Sequence, residues 1–202
     1  MAVKSNLTNM VLVLSLTCLV CSALLGGAYA LTKEPIEAAA AEKTNRSIEQ
    51  VLPHFETSVF DEENQYYTAF DGDRVVGYAI LSTVVGFGGN LSLMVGVTPD
   101  GVVYNTSVLS HSETPGLGAK CTTDEKFMNQ WKGFDASVKK LYVTKDGGDV
   151  DAITASTITS RAYAQAVANA LVTFDEIVGP AEEAVEAEIA EIVEIAGGQD
   201  YE

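Results

Sequence analysis

From Met10 to Leu31 the chain reads MVLVLSLTCLVCSALLGGAYAL, 22 residues without a charged side chain. A helix needs about 20 apolar residues to cross the hydrocarbon core of a bilayer. Lipid offers no hydrogen bonds to exposed backbone, so a single span must be helical. Two fates fit this stretch. A signal peptide has a shorter apolar core and ends on a small-residue site, which Ala28-Tyr29-Ala30 supplies. An uncleaved anchor uses the full spanning length, which is present, and that length favours the anchor. Either way the remainder is expected beyond the membrane, with Lys4 in residues 1–9 placing the N-terminus inside. Cys18 and Cys21 lack the small residues before them that a lipoprotein site needs, and read as small hydrophobes of the span.

The rest of the chain is acidic, and the formal net charge of the whole is −16. A nucleic-acid binder wants a basic stripe, so that class is excluded. Residues 32–65 read as a linker with one or two short helices, continuing out of the membrane and punctuated by Pro35 and Pro53. His54 reads as a surface residue. Residues 66–109 change character. β-branched and aromatic runs alternate with turn signals at Asp71-Gly72, Gly86 to Asn90 and Pro99-Asp100-Gly101. They predict strands near 66–70, 74–83, 91–97 and 102–109 in an antiparallel meander. Ser110 to Lys120 lacks periodicity and reads as a loop. A short helix follows, capped by Thr122 or Thr123, with Phe127, Met128 and Trp131 on its apolar face and Trp131 in the core. A strand is expected near 140–144 and a turn at Asp146-Gly147-Gly148.

Hydroxyls crowd the next stretch: Thr154, Ser156, Thr157, Thr159 and Ser160 are five in seven residues. Apolar residues then recur at Ala164, Val167, Ala168, Leu171 and Val172, the spacing of one helix face. The hydroxyls therefore sit at a helix N-terminus, where unpaired N–H groups and the dipole favour an anion. One of them serves as a cap, which leaves four to explain. This helix is expected to end near Gly179-Pro180. Residues 179–202 carry eight acidic side chains and no basic one, and read as a solvated acidic tail, though Ala and Ile recur there at helical spacing. The cysteines give no metal spacing, no cluster for an iron–sulfur centre and no disulfide framework, and Cys121 reads as an ordinary thiol. No strand–Gly-rich loop–helix fingerprint for a dinucleotide is present.

Asp151 to Thr157 resembles the attachment motif of the FMN-binding domain family: Asp, two residues, Ser or Thr, Gly, Ala, Thr. In that family a flavin transferase joins FMN to the last Thr through a phosphoester. Asp151 and Thr154 match, and Thr157 falls on the acceptor. Ala155 stands where the family has Gly, and Ser156 where it has Ala. The Gly matters if that position takes a positive φ, which Ala tolerates poorly. Gly86-Phe87-Gly88-Gly89 resembles the family's Gly-aromatic-Gly-Gly turn, through which backbone can approach a planar ligand. A second signature, Glu113-Thr114-Pro115-Gly116-Leu117-Gly118, is matched at all six positions.

The resemblance covers roughly residues 10–178. It implies an α+β architecture: a transmembrane helix at 10–31 and one FMN-binding domain at 66–178, with an antiparallel sheet flanked by helices. It implies covalent FMN on Thr157, with Asp151, Thr154, Ser156, Thr159, Glu113, Thr114, Gly116, Leu117 and Gly118 around it. Glu113 and Thr114 would hydrogen-bond the ring or ribityl chain, and Leu117 would cover a ring face. Lys145 would face the phosphate or be solvated. His111 is not needed as a base, because the flavin carries the electron chemistry. Lys145-Asp146-Gly147-Gly148, followed by Val150-Asp151-Ala152-Ile153-Thr154, resembles the G subunits of Rnf electron-transport complexes. That implies a relay subunit at the outer face of a bacterial inner membrane, passing electrons between partner subunits that couple ferredoxin and NAD to ion pumping, with no catalytic residue or metal of its own. Two alternatives stay open: the equivalent subunit of the sodium-pumping NADH:quinone reductase, and an anchored binding module without cofactor.

Overall fold

The computed structural model describes residues 6–62 and 64–197, with side chains through Gly179. Lys4 and the acidic side chains of the tail lie outside the described residues. The chain forms two compact units, residues 1–44 and 45–202.

The first unit is helical. Helix α1 runs Leu7–Val51 as one element, through Pro35, so the proline does not divide it as the sequence reading expects. Pro35 deletes the hydrogen bond to Leu31, the last residue of the apolar stretch, and the helix absorbs that loss. Its apolar stretch has a mean hydropathy of 2.3 over 18 residues and is wholly exposed, as a lipid-facing helix is. Cys18 and Cys21 are exposed on it. Its 22 uncharged residues rise about 33 Å, matching a hydrocarbon core of about 30 Å.

The second unit begins with the end of α1 and is built on one antiparallel sheet in the order β1-β2-β3-β4-β5. The strands are β1 Thr57–Asp61, β2 Tyr66–Asp71, β3 Arg74–Val85, β4 Asn90–Val97 and β5 Val103–His111. Four of them fall where the sequence places them. β1 lies inside the stretch read as linker and helix; it is five residues long, mostly exposed, and paired only to β2. Phe60 stands opposite Tyr67 with ring centroids 4.5 Å apart, and that cross-strand pair holds this edge.

Both faces of the sheet are covered. On one face Ile48, Val51 and Leu52 pack on Ala69, Ala79 and Met94. On the other, helix α3, Thr157–Gly197, lays Tyr163, Ala166, Val167, Ala170 and Phe174 over Ile80, Leu93, Val95 and Val97. Small alanines let the helix axis approach the strands closely. β4 is buried on both sides, which explains why LSLMVGV reads as a continuous apolar run. Trp131 is fully buried, stacked on Tyr163 at 5.1 Å with the rings 20° apart.

Three local expectations are corrected. Helix α2, Glu125–Asn129, is capped by Asp124, whose Oδ1 accepts from the N–H groups of Lys126 and Phe127. Thr122 is unavailable because its hydroxyl donates to the Ala119 carbonyl in the preceding 3-10 turn. Residues 140–144 form no strand. They fold back on 149–150, with Thr144 N–H on the Val150 carbonyl at 2.8 Å and Lys140 N–H on Asp149 Oδ2 at 2.8 Å. The segment pairs with itself and leaves a 3-10 turn at Thr144–Asp146. Finally, the α3 backbone stays helical through Gly179-Pro180. The Ala- and Glu-rich sequence beyond supplies strong helix formers.

Candidate functional site

The five hydroxyls at the start of α3 divide by role. Ser160 is fully buried and ties the incoming loop to the helix: its Oγ donates to the Ser156 carbonyl and accepts from Ile153 N–H at 2.9 Å. Thr159 is also buried and donates to Glu113 Oε2 at 2.8 Å. Thr154 is exposed. Ser156 is buried, and its Oγ has no hydrogen-bond partner. Thr157 is half-buried, and its Oγ1 accepts a hydrogen bond of 3.2 Å from Lys145 Nζ. Of the hydroxyls that no fold-holding bond takes up, Ser156 and Thr157 are the two that are at least partly buried.

Ala155, immediately before them, has φ +62°. The left-handed conformation is where a Gly would be unstrained, and the Ala here costs on the order of 1 kcal/mol. The loop is also pinned from behind. Asp151 pairs with Lys126 at 2.8 Å, and its backbone N–H and carbonyl both bond to the Gln130 side chain.

Glu113 organises the other wall. Only 5 % of its surface is exposed, and a buried carboxylate needs donors. Oε1 accepts from Phe87 N–H at 2.7 Å and Gly88 N–H at 3.4 Å, while Oε2 takes Thr159. One side chain thus joins the β3–β4 turn, the loop after β5 and the first turn of α3. A Cβ at Gly86 or Gly118 would collide with its carboxylate oxygens. Those two glycines make room for the Glu113 brace, where the sequence reading gave the turn's glycines to close approach by a ligand. His111 closes the same loop, its Nδ1 accepting from Glu113 N–H at 3.2 Å.

Between these walls lies a cavity of about 350 Å³ lined by Phe87, Glu113, Thr114, Leu117, Gly118 and residues 155–159. Of the ten residues expected around the cofactor, Glu113, Thr114, Leu117, Gly118, Ser156, Thr157 and Thr159 line it. Asp151, Thr154 and Gly116 do not, and Asp151 acts through the loop it pins. The sequence reading named Phe87 only within a turn for backbone approach and missed Ile158; both are exposed apolar lining, 66 % and 51 % exposed. Ile158 was legible as an apolar residue on the helix face shared with Arg161 and Gln165. Also missed was the Arg161–Asp146 pair, with Nε and Nη2 each 2.7 Å from a carboxylate oxygen. That hydrogen-bonded guanidinium holds the Asp146 carboxyl below its usual range. Cys121 is buried in the 3-10 turn Gly118–Thr122, and burial, with the Glu113 charge adding to it, pushes its thiol up to about 11.

The residues present fit a phosphorylated planar ligand. An orphaned buried hydroxyl, the N-terminus of a long helix and a lysine ammonium suit a phosphoryl group. Phe87, Leu117 and Ile158 suit an aromatic ring. Residues 86–172, which include every residue lining this cavity, match the FMN-binding domain family.

The full-length relatives narrow this. The chain is 33 % identical to the G subunit of the proton-translocating ferredoxin:NAD(+) oxidoreductase complex of Clostridium ljungdahlii, over 78 % of this chain and 86 % of that protein. It is 33 % identical to the G subunit of the ion-translocating oxidoreductase complex of Methanosarcina acetivorans, over 85 % of this chain and 96 % of that protein. A solved structure of the C subunit of the Na(+)-translocating NADH-quinone reductase from Parabacteroides distasonis is similar at 26 % identity over 54 % of this chain and 59 % of that one, with a TM-score of 0.42. The chain belongs to the family of G subunits of ion-translocating oxidoreductase complexes.

Proposed function

We propose that this chain is the flavin subunit of a membrane-bound, ion-translocating oxidoreductase, with FMN joined covalently to Thr157. Bound there, FMN would accept and release electrons singly or in pairs, so the chain relays electrons between partner subunits and selects no small substrate. The chain's own part is to hold, orient and shield. Thr157 provides the attachment oxygen, and Ser156 and the α3 N-terminus receive the phosphoryl group. Thr114 and the apolar side chains of Phe87, Leu117 and Ile158 receive the ring system. Glu113 fixes the three surrounding segments in register, and Thr159 and Gly118 serve that brace. Asp151 and Gly116 shape the loops, and Thr154 presents its hydroxyl at the surface of the attachment loop.

The observation that carries this reading is Thr157 at the wall of the cavity, its hydroxyl met by Lys145 and bounded by an orphaned serine. Helix α1 anchors the chain in the bilayer, and the flavin domain lies on the extracytoplasmic side, as in a bacterial inner membrane. A tether makes physical sense there, because no FMN pool exists outside the cell to refill an emptied site. Attachment then needs a flavin transferase as maturation partner. Relatedness to G subunits along most of their length supports this complex over the sodium-pumping NADH:quinone reductase, and a lining suited to a flavin nucleotide supports it over a cofactor-free binding module.

The test is intact mass spectrometry and in-gel fluorescence of the chain co-expressed with a flavin transferase. The wild type is expected to carry the mass of one esterified FMN and to fluoresce under denaturing conditions, and Thr157→Val to do neither. A wild type without added mass would sink the covalent assignment.

A further inference from the structure

We infer that Lys145 is the charge-bearing positioning residue for the ester at Thr157, first holding Oγ1 as a nucleophile and then neutralising the phosphodiester formed on it. This rests on the reading of Thr157 as the attachment point. The two residues come from separate pieces of backbone, the 3-10 turn Thr144–Asp146 and the first residue of α3. The turn is tied back by the bonds between 140–144 and 149–150, which fixes the backbone from which the Lys145 side chain reaches Thr157.

Two neighbours keep Lys145 on this task. Asp146, next to it in sequence, has both carboxylate oxygens taken by Arg161 at 2.7 Å. Among the described residues Lys145 itself meets Thr157 Oγ1 at 3.2 Å and makes no ion pair. The Arg161 guanidinium is spent on Asp146 one helical turn beyond Thr157. That leaves Lys145 as the uncommitted cation at the acceptor. Ser156 Oγ, buried and unpartnered on the same cavity, is the independent sign that an oxygen-rich group belongs there.

The chemistry explains why a cation is needed. Making a phosphodiester from a threonine in water requires a donor whose flavin phosphate is already in an anhydride. Thr157 Oγ1 forms a bond to that phosphorus as the anhydride P–O bond breaks. The hydroxyl proton leaves Oγ1 and ends on the departing phosphate, and no electrons are exchanged. Because Lys145 donates to Oγ1, the hydroxyl keeps its own proton free to leave, and the negative charge developing on oxygen meets a fixed ammonium. The ester that remains carries one negative charge at the same spot.

The test follows mass gain of the full chain over time in cells also making a flavin transferase, for the wild type and Lys145→Met, Lys145→Gln and Lys145→Arg. Lys145 is exposed, so the unloaded variants should melt with the wild type. Loading is expected to slow at least about ten-fold in the Met and Gln variants and to return to within about three-fold in Arg, which restores the charge. Loading of Met or Gln at the wild-type rate overturns the inference. So does an Arg variant as slow as Met with unchanged melting, since charge would then not be what matters. A wild type that gains no mass overturns the attachment reading instead.

Discussion

Ala155 is one of two residues, with Ser156, at which the chain departs from the motif it resembles, and of the two it is the one with a left-handed backbone, at φ +62°. Family motif and geometry agree that glycine is the unstrained choice. Ala155→Gly is therefore expected to raise stability by about 1 kcal/mol, or a few degrees in Tm for a domain of this size, measured by thermal melting of the unloaded protein. Gly also gains entropy in the unfolded chain, which offsets part of that gain, and a fall in Tm would show that the strain is compensated locally. Asp146 allows a second prediction. Its hydrogen bond from Arg161 lowers its folded-state pKa, so its contribution is present above the ordinary carboxylate range and is lost as pH falls through the lowered value. Asp146→Asn should melt below the wild type at neutral pH, and the two curves should converge in acid. A gap independent of pH would assign the effect to packing.

The elements were largely readable where their own sequence decides them. Strands β2 to β5 alternate or run apolar over their whole length, and strong turn residues separate them. α3 announces itself by alanine and valine at helical spacing. What escaped was decided by partners distant in the chain. β1 is a strand because β2 offers an edge, and its TSVFD has no length or alternation to show it. Residues 140–144 have strand-like composition but find their hydrogen bonds in 149–150 instead of in the sheet. The site shows the same division. Thr157 and the Glu113–Gly118 loop were legible as motifs, whereas the use of Glu113 as a brace between three elements depends on contacts 25 to 46 residues apart. Its fit leaves no room at Gly118, where a Cβ would stand 2.7 Å from Thr159 Oγ1 and 2.9 Å from Glu113 Cβ. Gly118→Ala is expected to cost roughly 1–3 kcal/mol by overpacking and to slow flavin attachment, read by melting and by mass gain. Wild-type values for both would mean that the brace can shift at little cost.

At the scale of the whole molecule, the open choice in the sequence was between a cleaved leader and a lasting anchor, since Ala28-Tyr29-Ala30 has the form of a cleavage site. The structure bears on that choice through continuity. Residues 28–30 lie in the interior of α1, a helix that runs unbroken from Leu7 to Val51. A peptidase needs its scissile backbone extended, and extending residues 28–30 would break helix hydrogen bonds on both sides of the cut. The exposed apolar surface of the span, with Leu12, Leu14, Leu16 and Leu19 all more than half exposed, has no other solvent to suit it than lipid. Keeping the helix would also keep the domain at the membrane, as the proposed relay between subunits requires. The chain is therefore expected to stay in the membrane pellet after alkaline carbonate washing, and its detergent-extracted mass should include residues 1–31. A mature protein starting at Leu31 and released by the wash would instead make the apolar stretch a leader, and the flavin domain would have to reach its partners through contacts of its own.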